Sequence, residues 1–244
     1  MVYKTRREVL AASAVAALAT PALGRTISGE MPWEPNDAHP PAPVVPGPLQ
    51  FLTPDEAATI DAIVDRLIPS DELGLGGKDA GCTVFIDRQL AGSYGTNETR
   101  YTKGPFPEHT LPSQGAQSPL TPREQYRNGL AALATYCKAT FDGRAFEALS
   151  AAEQDTLLKG LQKGDVKLPG FSAKMLFAAV HTNAMEGYFA DPVYGGNHEM
   201  AGWKLVGFPG TRYDYRDVIA NPNQPYTRPP VSIQGRAEWT KPGK

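Results

Sequence analysis

The chain has 244 residues, with 24 Lys and Arg against 26 Asp and Glu and a formal net charge of −2. That near-balance, with no Lys/Arg stripe in the body of the chain, argues against nucleic acid as a partner and against a polybasic membrane patch. Two cysteines are too few for an iron–sulfur cluster, and no Cys-x-x-Cys-His run offers covalent haem attachment.

Lys4, Arg6 and Arg7 precede an uncharged, Ala-rich stretch from Val9 to Ala19. The stretch is about eleven residues, short of the roughly 20 a membrane-crossing helix needs, and the small residues Ala22 and Gly24 close it. The order predicts a signal peptide over residues 1–24, with Arg6 and Arg7 as the paired arginines of a twin-arginine signal. A stop-transfer flank and an ordinary secretory n-region are the alternatives. The expected route is the twin-arginine translocase, which exports proteins already folded, and the expected destination is the periplasm. Removal of this segment takes three basic residues and one acidic one, so the remainder is mildly acidic.

Residues 25–49 read as an extended arm, because seven prolines fall between Pro32 and Pro48. At Thr53-Pro54-Asp55-Glu56 the pattern changes: Thr53 suits an N-cap, Pro54 the first helical position, and Glu56 the reciprocal partner of a capping box. The apolar positions Ala57, Ile60, Ile63, Val64 and Leu67 then recur at helical spacing until Pro69. Gly74 to Lys78 superficially matches a phosphate loop, but it follows a helix and lacks the required spacing, so it reads as a flexible connection. A shorter helix is expected around Val84, Phe85 and Leu90.

The polar stretch from Ser93 to Pro119 is long enough to be an insertion or a binding loop. Thr121-Pro122-Arg123-Glu124 opens a helix with the stripe Leu130, Leu133, Ala134, Cys137 and Phe141. Ser150-Ala151-Ala152-Glu153 opens another, with Leu157, Leu158 and Leu161. A last long helix is predicted over Ser172–Phe189, with Leu176, Phe177, Val180 and Met185 as its apolar surface. Beyond Ala190 turn-formers alternate with aromatic residues, which predicts ordered but irregular backbone. The tail 211–244, rich in proline and tyrosine, reads as a second extended arm. The expected fold class is mainly α, a helical domain over residues 50–210 between two Pro-rich arms.

Catalytic signals are sparse. His39, His109, His181 and His198 show no metal-ligand spacing, and no Gly-x-Ser-x-Gly elbow is present. His181 reads as a hydrogen-bonded helical histidine, and His198-Glu199 is a weak candidate acid–base pair. Cys82 and Cys137 could form an internal disulfide closing a loop of about 56 residues, worth roughly 4 kcal/mol in the chain-entropy model. A buried free thiol at Cys137, or a bridge to another chain, are the alternatives.

The blocks Glu186-Gly187-Tyr188-Phe189-Ala190-Asp191-Pro192-Val193-Tyr194-Gly195-Gly196-Asn197 and Gly202-Trp203-Lys204-Leu205-Val206-Gly207-Phe208-Pro209-Gly210 closely resemble the signature of the gluconate 2-dehydrogenase subunit 3 family. The first capped helix, ending at Leu67-Ile68-Pro69, and Phe85-Ile86-Asp87 resemble it too. The resemblance covers roughly residues 50–210, while the 93–119 segment and the tail depart from it.

It implies an accessory subunit, without catalytic, cofactor-binding or metal-binding residues of its own, in an oxidoreductase complex. The implied partners are a large FAD-containing dehydrogenase subunit, which this chain would escort through export, and a membrane-bound cytochrome c subunit carrying haem c. Tyr188, Phe189, Tyr194, Gly195, Gly196, Asn197, Trp203, Phe208 and Pro209 then become candidate fold or interface residues. A related sugar or polyol dehydrogenase as the complex, and a stand-alone periplasmic binding protein, are the other functions weighed.

Overall fold

Three reciprocal capping boxes set where three of the four long helices begin. In the computed structural model, which describes residues 47–98, 104–106, 111, 113, 118–211, 219, 222–226 and 230–233, Thr53 accepts a hydrogen bond from the Glu56 amide and Glu56 returns one to the Thr53 amide. Thr121 with Glu124 and Ser150 with Glu153 do the same. Each box satisfies two backbone groups that a helix end otherwise leaves without partners.

The described residues form seven helices and no strand: α1 (Pro54–Leu67), α2 (Cys82–Ala91), α3 (Ser93–Thr96), α4 (Pro122–Thr140), α5 (Ala151–Lys163), α6 (Ala173–Phe189) and α7 (Ala201–Val206). Short 3-10 turns occupy Phe146–Ala148, Pro192–Tyr194 and His198–Met200. The mainly α reading of the sequence holds. Signal arginines Arg6 and Arg7, most of both arms, and much of the 93–119 segment lie outside the described residues.

α6 is the hub, packed on α1, α2, α4, α5 and α7. A helix with neighbours on several sides carries apolar residues around its circumference and not in a single stripe. Accordingly Leu176 and Val180 are buried as expected, but the far end of α6 turns Met185 outward, 38% exposed, and buries Asn183, Ala184, Gly187 and Tyr188 instead. Asn183 is tolerated there because its side-chain oxygen accepts from Tyr126 at 2.8 Å and its nitrogen donates to Glu186 at 2.8 Å. Burial pushes the Tyr126 hydroxyl well above its ordinary pKa, so it stays a donor.

Around the hub, Ile60, Ile63 and Val64 of α1, Phe85, Ile86 and Leu90 of α2, Leu130 and Leu133 of α4, and Leu157, Leu158 and Leu161 of α5 close the core. Fork-shaped ion pairs tie its outside. Arg66 of α1 meets Asp155 of α5 at 2.7 and 2.9 Å, and Arg144 meets Glu153 at 2.8 and 3.1 Å. The Arg144 hydrogen bond, helped by Ser150, holds the Glu153 carboxyl down at about 2.

Two expectations need correction. Residues 74–78 are not a loose connection: Gly76 N donates to Ser70 Oγ at 2.7 Å, Gly77 N to Ile68 O at 2.8 Å, and Tyr188 Oη to Leu75 O at 2.8 Å. The glycine run is therefore clamped between α1 and α6.

Nor do Cys82 and Cys137 form the internal bridge. Both are free thiols, fully buried. Cys82, the first residue of α2, lies near Tyr188, whereas Cys137, late in α4, lies near Glu147, so the two sulfurs serve different parts of the core. Burial pushes the Cys82 thiol up to about 12 and the Cys137 thiol up to about 11. Only the thiolate is nucleophilic, and these groups hold their protons at pH 8. A maleimide or disulfide reagent at pH 8 is thus expected to leave the folded chain unlabelled and to label both cysteines in denaturant without reductant. Failure to label in denaturant would restore the bridge.

Candidate functional site

The residues the sequence singled out between Glu186 and Gly210 converge on one place, a cap built over the C-terminal end of α6. The helix stops at Phe189, and the chain turns at Asp191, whose carboxylate accepts from the Val193 amide at 3.0 Å. It then runs through the two 3-10 turns into the short α7.

Asn197 is the centre of that turn and has no exposed surface. It sits at φ 49°, in the left-handed region that asparagine tolerates better than most residues. Its Nδ2 donates to Ala190 O at 2.7 Å and its Oδ1 accepts from Gly202 N at 2.8 Å, so one side chain joins the end of α6 to the start of α7. The neighbouring His198 amide donates to Ala80 O at 3.0 Å, which ties the cap to the entrance of α2.

Close backbone approach explains the glycines. A Cβ on Gly196 would lie 2.2 Å from Gly187 O, and one on Gly202 2.1 Å from Tyr188 O, so α6 and the cap meet at distances no other residue permits.

The aromatic residues divide by role. Tyr188, 4% exposed, reaches inward to Leu75 O, and Trp203, also 4% exposed, donates from Nε1 to Phe189 O at 2.7 Å. Tyr188, Gly195, Gly196, Asn197 and Trp203 are therefore internal to the cap. Phe189, Tyr194 and Phe208 present surface, and Pro209 is half-buried. The candidate set thus separates into a scaffold and an outer face, a distinction periodicity does not carry in irregular backbone.

The outer face extends further than the sequence suggested. Met185 lies one helical turn before Phe189 on the same side of α6. The Phe189 ring lies against Gly202, from which Leu205 and Val206 follow at three and four residues along α7. Phe208 packs edge-on against Trp203, with centroids 5.2 Å apart. Met185, Phe189, Leu205, Val206 and Phe208, each 36% exposed or more, are large apolar side chains that the end of α6, α7 and the turn after it present to solvent. Leu205 and Val206 were missed because two apolar residues in a six-residue helix show no period.

The proton-transfer candidates do not assemble. The His198 ring lies against Gly81, Glu199 is exposed, and His181 stacks on Phe177 at 5.6 Å on the outside of α6. His39 and His109 lie outside the described residues. Among the described residues no group of three or more His, Cys, Asp or Glu could hold a metal ion, and no helix is long and apolar enough to cross a membrane.

Comparison with known proteins agrees with this layout. No curated protein and no solved structure matches the chain. The family model described as gluconate 2-dehydrogenase subunit 3 matches residues 54–210, from the first residue of α1 to the glycine that closes the cap. With more than half its length matched, and with the body and the cap both inside that match, the chain belongs to the gluconate 2-dehydrogenase subunit 3 family.

Proposed function

We propose that the chain is a non-catalytic accessory subunit of a periplasmic, FAD-dependent gluconate 2-dehydrogenase complex, and that it docks on the large flavoprotein subunit through the outer face of the cap. The exposed apolar side chains Met185, Phe189, Leu205, Val206 and Phe208 on the end of α6 and the cap carry this reading. Exposed aromatic and aliphatic side chains grouped on a rigid frame are what a subunit interface needs and what a solitary protein avoids. FAD belongs to the partner in this reading, because the one glycine-rich run here joins two helices and lacks the dinucleotide fingerprint. A cytochrome c subunit would take the electrons onward and hold the complex at the membrane. The paired arginines Arg6 and Arg7 supply the export signal for the folded pair, which suits a flavoprotein that must receive its cofactor before translocation.

Affinity purification of the chain from membranes of its native bacterium should bring down a larger, yellow, gluconate-oxidising subunit. Replacing Phe189 and Phe208 together by glutamate should weaken that association by about 2–4 kcal/mol, the cost of removing two interface anchors. Undiminished capture by the double variant would exclude this face. For the escort role, Arg6→Lys with Arg7→Lys should strand both this chain and the flavoprotein in the cytoplasm, and periplasmic flavoprotein in that strain would refute it.

A further inference from the structure

The C-terminal region reads from sequence as a second extended arm, and its residues 230–233 lie on the cap, held there at three successive positions. Val231 is 3% exposed and forms a parallel bridge with Gly210, its carbonyl accepting from Thr211 N at 2.7 Å and its amide donating to Pro209 O at 3.2 Å. Thr211 Oγ1 adds a bond to the same Val231 carbonyl at 3.0 Å. Ser232, 6% exposed, donates from Oγ to Asp191 Oδ1 at 2.7 Å, and Ile233 N donates to Asp191 Oδ2 at 2.7 Å.

The receiving side is shaped for this. Gly210 has φ 78°, and a Cβ there would lie 2.2 Å from Val231 O. Asp191 uses both oxygens, one of them shared with Val193 N, so a single carboxylate orders the turn after α6 and grips the returning segment. Asp191 and Gly210 both lie inside the family match and Val231 to Ile233 lie outside it. The acceptor and the segment it accepts are thus separate stretches of chain.

We propose that the cap contains a binding slot for an extended peptide, which the chain's own residues 230–233 fill as a strap. The slot adds a short strand by main-chain hydrogen bonds, takes a small β-branched side chain at the Val231 position, and reads a hydroxyl at the next through Asp191. The strap fastens the turn that leads from α6 to α7, and with it the frame of the cap.

Full-length Val231→Asp, which places a charge in the apolar position, provides the test. Amide hydrogen exchange over residues 190–211 should accelerate by about tenfold or more, the effect of losing the strap's bonds, with exchange in α4 unchanged. A synthetic peptide of residues 228–236 added in excess should restore protection, and the same peptide carrying Ser232→Ala should restore it less. Wild type, with its slot filled, should not bind the peptide. Should Val231→Asp unfold the whole chain, full-length Ser232→Ala should still give about threefold faster exchange in the cap. Unchanged exchange in the variants, no rescue by the peptide, or peptide binding to wild type would each overturn the slot.

Discussion

Replacing Asn197 by alanine is expected to destabilise the chain by about 3–5 kcal/mol, a large share of the roughly 5–15 kcal/mol that holds a typical domain folded. The substitution strands two backbone groups at once. The buried Gly202 N loses its acceptor, and Ala190 O, on a half-buried residue, loses its donor. The buried Gly202 amide costs about 1–3 kcal/mol, the half-buried Ala190 carbonyl about 1 kcal/mol at most, and alanine at φ 49° adds roughly 1–2 kcal/mol of backbone strain. Asn197→Gly separates the contributions: it keeps the left-handed turn without strain and should be milder than alanine by about 1 kcal/mol. Asn197→Asp keeps the shape but turns a carboxylate oxygen toward Ala190 O, and should be as damaging as alanine. Urea unfolding curves at constant slope measure all three. A loss below about 1 kcal/mol in the alanine variant would mean that Asn197 does not hold the cap on α6.

The second large effect lies where the N-terminal arm enters the body. Asp87 of α2 is 2% exposed, and its carboxylate accepts three consecutive backbone amides: Gln50 at 2.8 Å, Phe51 at 2.9 Å and Leu52 at 2.8 Å. Phe51 is then covered by the guanidinium of Arg127, 4.3 Å from the ring centroid, while Arg127 also pairs with Glu56 and Arg123 donates to Leu90 O at 2.6 Å. One carboxylate thus fixes where the arm ends and α1 begins. Asp87→Ala should cost about 2–4 kcal/mol, because charge-assisted bonds are stronger than neutral ones and Leu52 N has no water to turn to. Asp87→Asn retains one acceptor oxygen and should lose about half as much. Limited proteolysis reports the same event locally: cleavage near Pro48 should accelerate in Asp87→Ala. Wild-type stability and cleavage rate in that variant would remove Asp87 from the anchor.

These two positions show why the fold and the site differ in how far they can be read ahead of the structure. α1, α4 and α5 were legible because their signals are local. A capping box spans four residues, and an apolar stripe repeats within a helix whatever lies opposite, so Thr53, Thr121 and Ser150 announce their helices without reference to the rest of the chain. The cap was legible only as a resemblance. Its glycines and aromatic residues marked a region, but the division between the buried Tyr188 and Trp203 and the exposed Phe189 and Phe208 depends on which side of an irregular turn meets α6.

By itself, then, the sequence determined the mainly helical class, the starts of the capped helices and most of their inward faces, which rest on spacing within short windows, and, through the resemblance of the Glu186–Gly210 blocks, the family. Tertiary structure alone decided that Cys82 and Cys137 stay apart as buried thiols, that Asp87 gathers three amides from a segment 35–37 residues away, and that Val231 returns to Gly210. Those contacts join residues far apart in the chain. Whether two such groups meet is set by how the helices pack around α6, and no local pattern encodes that distance.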